Sequence, residues 1–193
     1  LCELAHELLL PLVMYTEGGG GRPGDTDVAT QIAGLNIKSF STWAALSGKV
    51  PRIAVNNGYC FAGNAALFGC ADFCIVTRTS WIGMAGPAMI EGGGMGKHEP
   101  TAIGPIDVQE KNGVVDLVAA DEAHATALAK QLLSYFQGAV PDWETVPQES
   151  LRDAIPEDRR WGYPVRHIIE TIADTGSFLE LQRIYGRSII TGF

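Results

Sequence analysis

Two glycine-dense turns constrain the fold of this chain more than any other feature of its sequence. The first follows apolar residues 12–15 and spans 17–22, and the second follows apolar residues 53–55 and spans 58–64. A helical pattern follows each turn, so we expect both turns at one edge of a parallel sheet. Glycine has no Cβ and lets backbone N–H groups come close to a ligand. Two such turns side by side could point two N–H groups at one oxyanion.

The composition is that of a folded, acidic domain. The chain has 193 residues, of which 46% are hydrophobic and 19% charged, so it can form one ordinary domain with a sizeable core. The net charge of −8 and the lack of a basic stripe argue against a nucleic-acid partner. The four cysteines form no Cys-x-x-Cys pair, which is typical of reduced thiols in a cytoplasmic protein. No apolar run approaches the ~18 residues of a membrane span, so no membrane association is expected.

Strand and helix signals alternate along the chain, which predicts a layered α/β fold with parallel pairing. Strands are predicted over 12–16, 52–56, 72–77, 80–84, 114–118 and, as one just beginning, 188–193. Helices are predicted over 2–10, 28–46, 62–68, 121–136, 165–172 and 177–185, with a short one starting at 86–87. Residues 91–105 read as a loop, and residues 138–163 read as an extended connector. The chain begins within a helix and without Met, so we expect it to be a piece of a longer polypeptide.

The turns do not match the common nucleotide-binding motifs. Neither contains the Gly-Lys-Ser/Thr of a Walker A loop, and neither fits Gly-x-Gly-x-x-Gly with an acid about 20 residues later. No cluster of His, Cys, Asp and Glu has metal-ligand spacing, so no metal is expected in this chain.

Three side chains are candidates for chemistry. Cys60 could act as a nucleophile with a histidine, although its place at a strand end is more typical of a small buried hydrophobe. His98 is the only histidine in a glycine-rich loop, and loops often carry binding residues. Arg22 beside a nest of N–H groups suits a carboxylate or phosphate, and a structural ion pair with Glu17 explains it equally well.

Several segments, in their order along the chain, resemble the biotin-dependent acyl-CoA carboxyltransferases of the crotonase superfamily, the β-subunit type of propionyl-, acetyl- and methylcrotonyl-CoA carboxylases. The segments are Gly19-Gly20-Gly21-Arg22, Val50-Pro51-Arg52-Ile53, Gly58 to Ala65, Ala71-Asp72-Phe73, Ala85-Gly86-Pro87, Gly113 to Asp116, Gly176 to Gln182 and Ile189 to Phe193. The resemblance covers nearly the whole chain.

This resemblance implies an α/β fold of the crotonase (ClpP-like) type, a superhelix of ββα units. It implies an N-terminal carboxyltransferase half over residues 1–137, lacking its first strands. A linker over 138–163 and the start of the C-terminal half over 164–193 would follow. We also expect the isolated piece to be inactive.

The resemblance further implies transfer of a carboxyl group from carboxybiotin to the α-carbon of an acyl-CoA, through an enolate held by backbone N–H groups. The implied catalytic donors are the amides of Gly21 and of Gly63 or Asn64. No protein base is implied, because the family uses biotin itself to accept the proton. The implied substrate contacts are Gly19, Gly20, Arg22, Ala62, Gly86 and His98.

The partners implied by the family are acyl-CoA, a biotin carboxyl carrier domain and biotin carboxylase. The family also implies a homo-oligomer built from dimers, up to a hexamer. Biotin, carried as carboxybiotin, is the implied cofactor.

The sequence departs from the family pattern at three places. Gly63 is flanked by Ala62 and Asn64 where the family usually has two adjacent glycines, and the segments 96–99 and 104–107 also differ. These differences indicate a divergent branch with another acyl preference, within a fused multidomain carboxylase. Two alternatives stay open: another crotonase-type enzyme, a hydratase or thioesterase with Glu17 or Glu91 near the oxyanion hole, or a non-catalytic interface half.

Overall fold

A computed structural model describes residues 1–18 and 38–193 of the chain. The described residues form two compact units, Leu1–Phe136 and Gln137–Phe193. The elements of the first unit, in chain order, are α1 (Cys2–Leu8), β1 (Leu12–Tyr15), α2 (Lys38–Ala44), β2 (Arg52–Asn56), β3 (Tyr59–Phe61), α3 (Gly63–Gly69), β4 (Phe73–Thr77), β5 (Trp81–Gly83), α4 (Pro87–Gly92), a 3-10 helix (Pro100–Ala102), α5 (Ile106–Gln109), β6 (Leu117–Ala119) and α6 (Glu122–Ser134).

The main sheet of the first unit has four parallel strands in the order β1-β2-β4-β6. All five residues of β2 are buried, as expected for a parallel strand covered on both faces. Helix α6 packs against β2, β4 and β6. Asp121 caps it as predicted, since the Asp121 carboxylate accepts the His124 N–H at 2.7 Å. The predicted α/β class with parallel pairing is confirmed.

A second sheet lies beside the first and contains the parallel strands β3 and β5. Gly18 extends it, because the Gly18 N–H donates to the Tyr59 carbonyl at 2.7 Å and the Phe61 N–H donates to the Gly18 carbonyl at 2.9 Å. The Thr16 N–H still donates to Val55 in the main sheet, at 2.9 Å. The chain leaving β1 therefore passes from one sheet to the other within three residues.

A buried arginine holds the amino-terminal ends of the central strands. Arg52 begins β2 and is 4% exposed, and its guanidinium makes a two-point contact with Asp72, at 3.1 Å from Nε and 2.8 Å from Nη2. The same guanidinium donates to the Trp43 carbonyl at 3.2 Å and lies 5.6 Å from the centroid of the Trp43 ring. Asp72 also accepts the Arg52 backbone N–H at 2.9 Å. One side chain thereby connects β2, β4 and α2.

The second unit is smaller and contains a 3-10 helix (Gln148–Asp153), α7 (Val165–Ile172), β7 (Glu180–Leu181) and β8 (Thr191–Gly192). Strands β7 and β8 are antiparallel. Arg166 on α7 contacts Glu180 at 2.8 and 2.5 Å, and this guanidinium holds the pKa of the Glu180 carboxyl below its usual range. The segment predicted as an extended connector therefore contains a 3-10 helix, which packs against α7.

Two sequence predictions about the elements are wrong. The predicted helix over 177–185 is absent from the described residues, because Leu179 and Phe193 exchange backbone hydrogen bonds at 2.9 and 3.2 Å and draw this segment into a hairpin. The second glycine turn is not a simple turn either, since strand β3 lies inside it. The short helix α5 was not predicted, and β6 begins three residues later than expected.

The predicted helix over 28–46 is described only from Lys38, as α2, and residues 19–37 lie outside the described residues. Among the helices of the described ranges, none combines the length and the apolar character needed to cross a membrane.

We predict that Asp72→Ala lowers the free energy of unfolding by about 2–3 kcal/mol, because it leaves a buried guanidinium without its counter-ion. The side chain of Asp72 is 34% exposed, so we expect the loss of unfolding free energy to lie at the low end of the range for breaking a buried ion pair. The measurement is the urea midpoint with the m-value. The matched control is Asp107→Ala, which removes an exposed contact to Arg78 at 3.7 Å and should leave the midpoint unchanged. Equal effects of the two substitutions would contradict the anchoring role of Arg52.

Candidate active site

The second turn ends at Ala62 in an unusual backbone conformation, which sets the direction in which α3 begins. Ala62 has φ 54° and ψ −121°, a region that favours glycine, and its N–H donates to the Gly83 carbonyl at 3.1 Å. The first N–H groups of a helix have no acceptor within the helix. Among the described residues, none accepts a hydrogen bond from the N–H of Gly63 or of Asn64. Within residues 1–18 and 38–193, these two amides therefore have no competing acceptor and can donate to a ligand oxygen.

Gly63 lies in close contact with its neighbour on α2. A Cβ built at Gly63 would lie 2.9 Å from Cζ of Phe40, closer than real Cβ atoms come to a neighbour. The ring of Phe40 thus packs directly on the backbone that carries the two available amides. The sequence had predicted only the amide of this glycine.

Asn64 links this turn to the end of β1 through its side chain. Its Nδ2 donates to the Thr16 carbonyl at 3.0 Å and to the Glu17 carbonyl at 3.1 Å. The sequence predicted only a backbone role for Asn64, so this side-chain contact was missed.

A polar network occupies the carboxyl ends of the strands, and sequence reasoning missed it. Asn57 is its centre: its N–H donates to the Glu17 carboxylate at 2.5 Å, its Nδ2 donates to Glu122, and its Oδ1 accepts from the hydroxyls of Thr77 and Thr79. The available signal was that polar residues directly follow each apolar strand. Among the described residues, no buried side-chain nitrogen or oxygen lacks a hydrogen-bond partner.

Ser80 and Asn56 continue this network into the second turn. The Ser80 hydroxyl donates to the Asn56 carbonyl at 2.9 Å, and the Asn56 Nδ2 donates to the Gly58 carbonyl at 2.8 Å. The loop between β2 and β3 is thus fixed from both sides. Fixed donors cost no reorganisation when charge develops, which suits an oxyanion hole.

Cys60 lies at the centre of β3 and is fully buried. Burial raises the pKa of its thiol to about 11, the nearby charge of Glu17 raises it further, and a hydrogen bond with Thr16 offsets part of the shift. A nucleophilic cysteine needs the opposite, an accessible thiol of lowered pKa. Burial and the raised pKa both argue against the nucleophile interpretation, and Cys60 packs as a core residue.

Gly86 and His98 have local roles in the structure. The carbonyl of the buried Gly86 accepts the N–H groups of Met89 and Ile90 at 3.1 and 3.2 Å, so Gly86 caps α4. His98 lies in an exposed loop, with Nε2 at 3.1 Å from the Met95 carbonyl. Their predicted substrate contacts stay predictions.

The predicted residues of the first turn are Gly19, Gly20, Gly21 and Arg22, and all four lie outside the described residues. The amide of Gly21 as the first oxyanion donor therefore stays a prediction. The described residues that lead to this turn end at Gly18, which pairs with β3 and lies against the Asn64 side chain.

The two carboxylates that a hydratase would need, those of Glu17 and Glu91, each have a partner among the described residues. Glu17 accepts the Asn57 N–H, and Glu91 lies 3.1 Å from Nζ of Lys97 on an exposed loop. In residues 1–18 and 38–193, no group of three or more His, Cys, Asp or Glu could hold a metal ion.

One apolar cavity of about 290 Å³ lies at the opposite edge of the main sheet. Its walls include Val50, Pro51, Phe73 and Phe136, at the amino-terminal ends of β2 and β4. The available amides lie at the carboxyl-terminal edge, so this cavity is separate from the turns.

The chain matches the carboxyl transferase domain family over residues 2–193. It belongs to that family. The 12S subunit of methylmalonyl-CoA carboxyltransferase from Propionibacterium freudenreichii subsp. shermanii is 29% identical over 194 residues, which cover 95% of this chain and 36% of that subunit. The propionyl-CoA carboxylase beta chain of Rhodococcus erythropolis is 31% identical, over 99% of this chain and 41% of the relative. The chain thus spans about two fifths of these relatives' length.

Solved structures agree with this membership. A single-chain, multi-domain long-chain acyl-CoA carboxylase superposes with a TM-score of 0.92 at 52% identity, covering 99% of this chain and 19% of that protein. The transcarboxylase 12S hexamer with methylmalonyl-CoA and methylmalonic acid bound gives a TM-score of 0.81 at 28% identity, covering 100% of this chain and 39% of that protein. The predicted family and the predicted crotonase-like fold are confirmed.

We predict that Ala62→Gly stabilises the fold by about 1 kcal/mol, because glycine relieves the positive φ and this gain exceeds the entropy it adds to the unfolded chain. The matched control is Ala66→Gly in the interior of α3, which should destabilise by about 1 kcal/mol. Thermal melts of the three proteins give the comparison. A loss of stability in both variants would contradict the strained backbone at Ala62.

We also predict that iodoacetamide at pH 7.5 labels the exposed Cys70 and spares Cys60 and Cys74 in the folded protein. Both spared thiols are buried, and burial raises the pKa of each. The thiolate is the reactive form, so a raised pKa slows labelling further. Mass spectrometry of the peptides reads the result, with the urea-unfolded chain as a control in which all sites react. Rapid labelling of Cys60 in the folded protein would restore it as a nucleophile candidate.

Proposed function

We propose that this chain provides the acyl-CoA side of the carboxyltransferase in a biotin-dependent acyl-CoA carboxylase. In this role it binds the thioester carbonyl and stabilises the enolate formed when the α-proton leaves. The observation that carries the proposal is the pair of available amides, Gly63 and Asn64, held beside the end of β1 in a chain of the carboxyl transferase family.

The amides would act on the oxygen where negative charge develops. One preorganised donor of this kind contributes roughly 2.7–4 kcal/mol to transition-state stabilisation. The N–H of Gly63 or Asn64 supplies one donor, and the N–H of Gly21 is proposed as the other. Both are main-chain groups, so the site needs no charged side chain to hold the enolate. This fits the engagement of Glu17 with Asn57.

Carboxybiotin, presented by a carrier domain, would supply the carboxyl group to the α-carbon. The described residues of this chain offer donors for the thioester, and we propose that biotin contacts come from the C-terminal half of a partner subunit. Arg22, Gly86 and His98 are proposed to contact acyl-CoA or biotin. Biotin carboxylase is the proposed source of the carboxylated carrier.

The substrate is proposed to be a long-chain acyl-CoA. The support is the 52% identity with a carboxylase described as acting on long-chain acyl-CoA, against 28% for a transcarboxylase structure that holds methylmalonyl-CoA. We also propose that the protein containing this chain is multi-domain and forms a homo-oligomer, as the 12S subunit does in its hexamer.

The proposed division of the chain follows the family. Residues 1–137 would form the N-terminal carboxyltransferase half, 138–163 the linker and 164–193 the start of the C-terminal half.

The test compares Gly63→Pro with Gly63→Ala in the full-length enzyme that contains this chain, both in an Ala62→Gly background, because at the observed ψ of −121° a Cβ at position 62 would clash with the proline ring. Proline at the first position of a helix removes one N–H with little cost to the helix, and alanine adds a Cβ against Phe40 while keeping the N–H. If the Gly63 amide holds the enolate, kcat of the proline variant falls about 100-fold or more below that of the alanine variant. Product formation from acetyl-, propionyl-, methylcrotonyl- and long-chain acyl-CoA is measured by mass spectrometry.

Equal kcat values for the two variants would remove Gly63 from the hole and transfer the role to Asn64. An unaltered enzyme that binds acyl-CoA saturably and carboxylates none of these esters would favour the non-catalytic interface role. Hydrolysis or hydration of the ester without carboxybiotin would favour a different crotonase-type enzyme.

A further inference from the structure

The side-chain amide of Asn64 joins two parts of the chain that are 47 and 48 positions apart. Its Nδ2 donates to the carbonyls of Thr16 and Glu17, at 3.0 and 3.1 Å, where the chain leaves β1. The backbone of Asn64 belongs to the first turn of α3, which follows the second glycine turn. One amide group therefore fixes the exit of the first strand against the start of that helix.

The backbone of Gly18 packs closely against the Asn64 side chain. A Cβ at Gly18 would lie 2.4 Å from Nδ2 of Asn64, 2.7 Å from Cγ and 3.1 Å from Oδ1, and these are its three nearest neighbours. The φ of Gly18 lies outside the left-handed region, so alanine could adopt the same backbone. Position 18 therefore requires glycine because of the Asn64 side chain, and not because of its own backbone conformation.

The register of Gly18 is set independently of Asn64. Its backbone pairs with Tyr59 and Phe61 in the second sheet, which fixes its position along the strand direction. The Asn64 side chain fixes how closely the strand end approaches α3. Residues of the second turn and of α3 therefore determine both the register of Gly18 and its distance from α3.

We propose that Asn64 is a positioning residue whose side-chain amide sets the spacing between the end of β1 and the start of α3, and thereby places the main-chain amides of Gly63 and Asn64 against the thioester oxygen. The proposal rests on the proposed function and adds to it the group that aligns the two donors. A misplacement of about 1 Å in such a site can cost on the order of 100-fold in rate. The polar network around Asn57 cannot replace this contact, because it reaches Glu17 through the carboxylate and leaves the two carbonyls to Asn64.

The first test replaces Asn64 by Asp and by Ala in the full-length enzyme. Aspartate keeps the shape of the side chain and puts an oxygen opposite two carbonyl oxygens, and alanine removes the contact. Both variants keep the backbone N–H. We expect kcat to fall about 10- to 100-fold and KM for acyl-CoA to change less than about threefold, because the thioester still binds while its oxyanion loses alignment.

The control is Asn112→Asp, at an exposed position of the same unit, which should leave kcat and stability unchanged. A purely structural role for Asn64 would lower the melting temperature while kcat per folded molecule stays constant. That result, or an unchanged kcat in Asn64→Asp, would overturn the proposal.

A second test uses Gly18→Ala in two backgrounds. In the unaltered enzyme the added methyl group displaces the Asn64 side chain, and we expect kcat to fall by a factor similar to that of Asn64→Ala. In the Asn64→Ala background the methyl group enters the space left by the deleted amide, so Gly18→Ala should cost less than about twofold. Losses that multiply would mean that the two positions act independently, and would contradict the proposal.

Failure of the proposed function has a different signature. In that case the unaltered enzyme carboxylates no acyl-CoA, whereas failure of the positioning proposal leaves the unaltered enzyme and its Asn64 variants equally active. In either case, the same double-mutant cycle measured by thermal stability tests whether Gly18 and Asn64 are in contact.

Discussion

The passage of the chain from one sheet to the other just after β1 is the constraint on which the candidate site depends. Thr16 still belongs to the main sheet, and Gly18 already belongs to the second. A crossing this short brings the end of β1 against α3, where a side chain at position 18 would overlap Asn64. The absence of a Cβ at Gly18 and the amide of Asn64 are therefore complementary parts of one contact. Loss of either would move the strand end relative to the amides of the second turn.

The rest of the first unit stabilises this crossing from both edges of the main sheet. At the amino-terminal edge, Arg52 and Asp72 tie β2 to β4. At the carboxyl-terminal edge, the hydroxyls and amides around Asn57 hydrogen-bond one another and link the ends of β1, β2 and β4. The amides of Gly63 and Asn64 have no acceptor among the described residues and are held by surroundings that do not need to move. Preorganised dipoles of this kind are what an enolate requires.

The sequence predicted elements that local patterns determine. Strand β2 and helix α7 appear at the predicted residues, and β1, α3 and β4 appear within a residue or so of theirs. Asp121 caps α6 as its position before the helix indicated. These features depend on apolar runs, glycine and capping residues within a short stretch of chain.

Elements that depend on distant partners could not be predicted in the same way. Strand β3 exists because Gly18 and β5 pair with it, and β7 exists because Leu179 pairs with Phe193. The Asn64 side chain was overlooked for the same reason, since its acceptors lie 47 and 48 positions away. The family resemblance placed Gly63 and Asn64 in the candidate site, and the structure supplies the geometry around them. The first turn, with Gly21, lies outside the described residues and keeps its predicted role.

The central proposal is that main-chain amides of the two turns share one thioester oxygen. The most direct measurement is the infrared stretch of a carbon-13-labelled thioester carbonyl in a long-chain acyl-CoA bound to the full-length enzyme. Two amide hydrogen bonds weaken the C=O bond, so the account predicts a clear shift to lower frequency on binding. It also predicts that Asn64→Ala reverses part of this shift. A bound carbonyl with the frequency that it has in water, equal in both proteins, would contradict the account.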